Sequence, residues 1–157
     1  MSAKLMTMRI DRLALALLIV YLVVLAVLTL RPVGADVDSN VRLNLKPFAT
    51  ILPALRHGPG SFVFANLIGN LLAFVPLGLL LPVAFRRLPW PLVILMGAAL
   101  SAAIETTQYV LSLNLGHGYR AADIDDVIVN VCGTVVGLAL YGVTAVAVLI
   151  GRTWHKT

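Results

Sequence analysis

Apolar residues fall in four long blocks along this chain, and short polar segments separate them. The blocks cover residues 13–30, 62–85, 91–113 and 124–150. A helix needs roughly 17–25 mainly apolar residues to cross a bilayer, and each block is long enough. Two arginines, Arg86 and Arg87, and two prolines make a tight turn between the second and third blocks. The pattern predicts an all-α integral membrane bundle of four transmembrane helices, a single domain over residues 1–157, with a long outer loop between helices 1 and 2.

Composition excludes a soluble globular domain. Of the 157 residues, 60% are hydrophobic and 12% are charged, whereas soluble domains carry about 25% charged residues. The net charge is +5, but the basic residues form short clusters at the ends of the apolar blocks. Such clusters set topology and attract anionic headgroups, so we expect no nucleic-acid partner. A single cysteine, Cys132, excludes an intrachain disulfide.

The distribution of Lys and Arg predicts the orientation of the bundle. The two terminal segments and the Arg86–Arg87 turn together carry seven basic residues, whereas the other side carries five over a much longer stretch. We therefore expect a multi-pass protein of the bacterial inner membrane with both termini in the cytoplasm. The alternative for the first block is a signal peptide, because residues 33–35 loosely resemble a cleavage site. Its apolar core is longer than is usual for a signal peptide, so we expect it to be retained.

Glu105 stands out because it lies inside the third apolar block. A carboxyl group in hydrocarbon costs several kcal/mol unless it is paired or faces a polar cavity. Gln108 follows three residues later, so both side chains can share one helix face. The sequence therefore predicts a partner for Glu105 within the bundle.

Polar residues of the second and fourth blocks fall at a similar depth. Asn66 and Asn70 are one helical turn apart near the outer end of the second block. Asp123, Asp126 and Asn130 form one stripe on the first two turns of the fourth. The three spans alternate in direction, yet each places its polar groups in the outer half. This convergence, together with Glu105 and Gln108, predicts one polar cavity open to the extracytoplasmic face.

Two basic residues lie near the predicted cavity in the sequence, and two of its acidic residues have a structural alternative. Lys46 in the first outer loop and Arg120 before the fourth block are each able to neutralise a carboxylate. Asp123 and Asp126 also suit a helix start, where a capping side chain and acidic residues are favourable. Asp125 falls off the polar stripe, and we expect it to be solvated.

Other residues have structural interpretations. The asparagines also suit hydrogen bonding between helices. Four small residues are expected at close-packing positions. They are Gly69, Ala73, Gly133 and Gly137.

These motifs, taken in order, resemble the VanZ-like family of small bacterial membrane proteins. The matching segments are Asn44-Leu45-Lys46-Pro47-Phe48, Asn66-Leu67-Ile68-Gly69-Asn70, Phe74-Val75-Pro76-Leu77-Gly78, Ile104-Glu105 with Gln108, Arg120 with Asp123-Ile124-Asp125-Asp126, and Asn130 with Gly133 and Gly137. The resemblance implies an integral inner-membrane protein. The family's namesake is associated with low-level resistance to teicoplanin, a glycopeptide antibiotic with a lipid tail. The resemblance thus indicates a role at the cell envelope and names no reaction.

Two functions fit these residues. In the first, the pocket binds an amphipathic ligand such as a lipid headgroup, a lipid-linked cell-wall precursor or a lipoglycopeptide. The ligand-binding residues would be Lys46, Asn66, Asn70, Gln108, Arg120 and Asn130. In the second, the protein is a membrane-embedded enzyme on a lipid-linked substrate, with Glu105 as general base. Asp123 and Asp126 would then supply an acid or hold a divalent ion.

The motif search supports neither a cofactor nor a metal centre. The chain has no nucleophile motif, no Gly-rich phosphate loop and no His-Cys ligand set. We therefore predict no metal site and no cofactor. Transport is a third alternative, but four spans leave little room for alternating access.

Overall fold

Four long helices dominate the computed structural model, which describes residues 3–31, 43–115 and 122–154. The side chains described are those of residues 11–31, 43–114, 122–148 and 151. The long helices are α1 (Ala3–Leu30), α3 (Phe62–Ala84), α4 (Trp90–Leu115) and α5 (Ile124–Trp154). They contain apolar spans at Asp11–Leu30, Phe62–Ala84, Trp90–Asn114 and Ile124–Val148. The predicted all-α membrane bundle of four spans is confirmed.

The loop between α1 and α3 carries structure that the hydrophobic pattern does not show. A seven-residue helix, α2 (Ile51–His57), precedes α3. Before it, strand β1 (Leu43–Asn44) pairs in parallel with strand β2 (Ala122–Asp123), with Leu43 opposite Ala122 and Asn44 opposite Asp123. This pair joins the loop after α1 to the segment that leads into α5.

Polar contacts identify the two ends of the bundle. At one end, the Gln108 side chain on α4 donates a hydrogen bond from Nε2 to the carbonyl oxygen of Thr29 on α1, at 2.9 Å. At the other end, the Arg86 side chain donates from Nε to Oδ1 of Asp11, at 2.6 Å. Both side chains of this second pair are partly exposed. The first of these ends, with Gln108 and Thr29, also carries α2 and the strand pair, and it is called the α2 end.

Helices α3 and α5 pack closely, and they run in the same direction, because Gly133 meets Leu71 and Gly137 meets Val75. A Cβ placed on Gly133 would overlap the carbonyl oxygen of Leu71, and one placed on Gly137 would overlap that of Val75. These two glycines therefore allow the backbones to approach each other, as small residues do between membrane helices. Gly69, by contrast, has open space around the position that a Cβ would take, with nothing within 4 Å. Its predicted close-packing role is therefore wrong.

The apolar core runs through the middle of the bundle and continues toward the end opposite α2. Its buried side chains come from α1, α3 and α4, with Phe74 and Val93 among the least exposed. Tyr21 on α1 adds a hydrogen bond to the carbonyl oxygen of Ala73 on α3, at 2.8 Å. Many large apolar side chains remain exposed on the outer surfaces of the helices, which is expected where hydrocarbon takes the place of water.

The α3–α5 contact yields a direct test. Replacing Gly137 with leucine should lower the stability of the bundle by about 1–3 kcal/mol or more, because the added side chain has no space against α3. The matched control is Gly142→Leu, since Gly142 lies on the same helix with nothing within 4 Å of its Cβ position. Thermal unfolding of both variants in detergent, followed by circular dichroism, measures the difference. Equal melting temperatures would contradict this packing.

Candidate functional site

Buried polar residues concentrate near the α2 end. Among the described residues, the buried polar or charged side chains are Ser101, Glu105, Gln108, Ser112, Asp125, Asn130 and Thr134. Five of them lie on the parts of α4 and α5 nearest the α2 end, while Ser101 and Thr134 lie near the middle of the bundle. Since polar groups are costly inside a bilayer, such a concentration requires partners within the protein.

One group of polar side chains lies deep in the bundle and is called the deep layer. It consists of Asn70 on α3, Ser101 on α4 and Asn130 on α5. Asn130 donates from Nδ2 to the hydroxyl oxygen of Ser101 at 2.9 Å, and both side chains are buried. Asn70 is half-buried on the neighbouring helix.

A second group lies one helical turn nearer the α2 end and is called the shallow layer. It consists of Asn66, Glu105 and Asp126, each four residues along its helix from a member of the deep layer. Residues four apart share a helix face, so each helix points the same face toward both layers. Glu105 is buried, while Asn66 and Asp126 are half-buried. The three helices thus place these side chains at two neighbouring levels of the bundle, and their convergence on one cavity stays a prediction.

The Glu105 carboxylate is tied to the beginning of α5. Its Oε2 atom accepts a hydrogen bond from the backbone N–H of Asp123, at 2.8 Å. A buried carboxylate is thereby connected to a backbone donor of another segment, as its burial requires. Of the two cations predicted to face it, Arg120 lies outside the described residues. Lys46 has an exposed side chain in the segment after β1.

Asp123 immediately precedes α5. Its Oδ1 atom accepts a hydrogen bond from the backbone N–H of Asp125 at 2.9 Å, which is the geometry of a helix cap. The same oxygen accepts from Nδ2 of Asn44 at 3.1 Å, so the cap is also attached to β1. This arrangement agrees with the helix-start interpretation of Asp123, and a catalytic role for it stays a prediction.

Asp125 is the residue that the sequence interpretation places wrongly. It is 1% exposed rather than solvated. Its Oδ1 accepts from the N–H of Phe48 at 2.5 Å, and its Oδ2 accepts from the N–H of Thr50 at 2.7 Å and from that of Ile51 at 3.2 Å. The Thr50 hydroxyl donates to the same Oδ2 at 2.8 Å. The carboxylate therefore holds the segment that leads into α2.

The backbone conformation of Phe48 also shows that the segment before α2 is held in a specific geometry. Its φ angle is +66°, which is unusual for a residue other than glycine. The turn directs the backbone N–H of Phe48 toward Asp125. No local sequence signal reveals this, because the partner lies 77 residues away. Both residues do, however, belong to segments that carry the family resemblance.

The remaining predictions concern Gln108 and a metal ion. Gln108 is buried, and its amide is bonded to the carbonyl oxygen of Thr29, which places it against a neighbouring helix. Among the described residues, no group of three or more His, Cys, Asp or Glu side chains is arranged to hold a metal ion. The divalent-ion role considered for Asp123 and Asp126 stays a prediction.

The Asp125 contacts predict a local loss of structure when the charge is removed. Asp125→Asn should weaken the hydrogen bonds to Phe48, Thr50 and Ile51, because bonds to charged groups contribute about 1.5–3 kcal/mol each. Amide hydrogen exchange over residues 43–57 should then become faster. The control is Asp11→Asn, which removes a partly exposed ion pair at the other end and should leave this exchange unchanged. Unaltered exchange in Asp125→Asn would contradict the role assigned to this carboxylate.

Comparison with known proteins supports the resemblance of the motifs. The sequence model of the VanZ/LLP1 family matches residues 18–146. Protein VanZ of Enterococcus faecium is 33% identical over 102 residues, which is 65% of this chain and 53% of that protein. The chain thus spans about half the length of this curated relative. No solved structure matches. Since the family match extends over most of the chain and includes α3, α4, both polar layers and most of α5, the protein belongs to the VanZ/LLP1 family.

Proposed function

We propose that this protein binds an amphipathic cell-envelope ligand at the α2 end and that this end faces the outside of the cytoplasmic membrane. Both termini would then lie in the cytoplasm, as the distribution of basic residues favours. The ligand would be a lipid headgroup, a lipid-linked precursor or a lipoglycopeptide. The site would consist of the shallow and deep layers, and Lys46 and Arg120 remain predicted ligand-binding residues.

The observation that carries this proposal is the distribution of buried polar side chains, which among the described residues lie in the α2 half and the middle of the bundle. Toward the other end, the buried side chains are apolar, such as Leu77, Leu81 and Val93. A channel would need polar groups along its whole length. A polar site that ends in an apolar core is instead suited to holding a ligand.

The chemistry of the two layers suits a ligand with a polar head and an apolar part. Glu105 and Asp126 offer carboxylates, while Asn66 and Asn70 offer amides that donate and accept hydrogen bonds. Lys46 and Arg120 suit a phosphate or carboxylate on the ligand. The apolar outer surfaces of the helices suit an acyl or prenyl chain.

The VanZ relative suggests which ligand to test first. We propose a link to glycopeptide resistance, with teicoplanin as the candidate because it carries a lipid tail. Expression of the protein in a susceptible Gram-positive strain should raise the inhibitory concentration of teicoplanin more than that of a glycopeptide without a lipid tail.

A matched pair of variants assigns this effect to the site. Glu105→Gln should return the inhibitory concentration to that of the strain without the protein, because the amide cannot replace the charge. Thr107→Val should keep the effect, because Thr107 is exposed and bonds only to Ala103 of its own helix among the described residues. Membrane levels of both variants are measured by immunoblot. Full protection by Glu105→Gln at normal levels would exclude the proposed site.

The enzyme alternative predicts a chemical change in the lipid-linked precursor, which binding alone does not. If Glu105 were a general base, the protein would change the mass of a lipid-linked precursor incubated with it, and Glu105→Gln would stop the change. Binding alone leaves the mass of the precursor unaltered. Mass spectrometry of the extracted lipid therefore separates the two functions.

The orientation has its own test. Lys46→Cys and Arg87→Cys, each in a Cys132→Ala background, place an exposed thiol at the two ends of the bundle. In intact cells, an impermeant thiol reagent should label the first and not the second, and lysis should make the second reactive. The opposite pattern would show that the α2 end faces the cytoplasm.

A further inference from the structure

Two amide groups in the bundle have polar atoms that lack a partner among the described residues. The Nδ2 atom of Asn70 and the Oδ1 atom of Asn130 are buried and form no hydrogen bond with the described residues. Asn130 is only 4% exposed, and its Nδ2 atom is already bonded to Ser101. A buried polar atom without a partner is energetically unfavourable, and a membrane supplies no water to compensate it.

The packing of α3 on α5 places these two residues at the same level. Gly133 lies against Leu71 and Phe74, and Gly137 lies against Val75. Asn130 precedes Gly133 by three residues, and Asn70 precedes Phe74 by four, so each points from the same face as its neighbour. Since the helices run in parallel, both amides lie one turn closer to the α2 end, on facing sides of the contact.

We propose that the deep layer is a subsite for one uncharged hydroxyl or amide group of the ligand. This inference rests on the proposed function and adds the chemical class of the group that reaches furthest into the site. The group would accept a hydrogen bond from Nδ2 of Asn70 and donate one to Oδ1 of Asn130. A hydroxyl or an amide does both, whereas an ether, an ester or an ionised phosphate diester only accepts.

The absence of charged side chains in the deep layer favours an uncharged ligand group. The three side chains of the deep layer are amides and a hydroxyl, and none carries a charge. An ion brought to this level would lose its hydration without gaining a counter-charge in the layer. The charged part of the ligand would instead lie at the shallow layer, about 6 Å nearer the α2 end, which is one turn of four residues. Because Asn70 is only half-buried, the deep layer is not sealed from its surroundings.

The subsite is tested with probes that share one alkyl chain and differ in one polar group. The full-length protein in phosphatidylcholine nanodiscs is titrated with 1-decanol, decanamide, methyl nonyl ether or decane, and thermal unfolding is followed by circular dichroism. The alcohol and the amide should raise the melting temperature in a saturable way. The ether and the alkane should not, because neither donates a hydrogen bond. Equal shifts from the ether and the alcohol would overturn the inference.

Asn70→Leu separates binding from a structural role. Without a probe, this variant should be at least as stable as the wild type, because it removes a buried donor that has no partner. It should nevertheless lose the saturable response to 1-decanol. The control Thr144→Val removes an exposed hydroxyl on α5 and should keep the full response. A lower melting temperature in Asn70→Leu would mean that Asn70 holds the helices together, which contradicts the inference.

A second variant guards against a packing defect caused by leucine. Asn70→Ala removes the same donor without a branched side chain, and the same result is expected. Failure of both variants to fold would also overturn the inference. The outcome is independent of the resistance assay. A probe response that depends on Asn70 supports the subsite even where teicoplanin is not the ligand. If the wild type shows no saturable response to 1-decanol, the subsite is rejected even where the protein protects cells against teicoplanin.

Discussion

The α2 end depends on one buried carboxylate, that of Asp125. A carboxylate that is almost fully enclosed needs hydrogen bonds to compensate for its lost hydration. Here the donors come from Phe48, Thr50 and Ile51, all in the segment that leads into α2 and at its first residue. The same requirement therefore fixes that segment against the first turn of α5. The strand pair and the Asn44–Asp123 bond lie beside this contact and continue it.

A different constraint holds the helices of the bundle together. Membrane helices gain little from burying apolar surface, because lipid is also apolar, so close packing must supply the association. Gly133 and Gly137 provide this by letting α5 approach the backbone of α3. The closely packed α3–α5 pair then presents Asn70 and Asn130 at a fixed register, while Ser101 and Glu105 complete the two layers from α4. Hence the close approach of the helices, together with the hydrogen bonds of Glu105 and Asn130, sets the geometry of the polar site.

The parts of this structure that the sequence predicts are those with a local signal. Four apolar blocks of spanning length give the four long helices, since hydrophobic length is a property of each segment alone. The burial of Glu105 is likewise predictable, because a carboxylate within a span is costly against lipid and therefore faces the interior of the bundle. The placement of Asn66, Asn70 and Asn130 in the same half of the bundle follows from helix spacing together with the alternating direction of the spans.

The features that sequence patterns miss depend on distant partners. Asp125 falls off the polar stripe of α5 and so looks solvated, yet its donors lie 74 to 77 residues earlier in the chain. The two-residue strands are too short to produce an alternating pattern, so their pairing is visible only in three dimensions. The prediction for Gly69 is wrong because small size permits a close approach but does not cause one. Each error concerns where a neighbouring segment lies, which local patterns do not encode.

The position of α5 after α3 and α4 in the chain has a consequence for biogenesis. Translation delivers α3 and α4 to the membrane before α5 has been made. At that stage the backbone N–H of Asp123 is not available to Glu105, and the side chain of Asn130 is not available to Ser101. Until the α5 segment is made, Glu105 and Ser101 therefore lack these two hydrogen-bond partners. Insertion of α5 adds the fourth span and supplies both partners. The last span to be made is therefore also the one that completes the two polar layers.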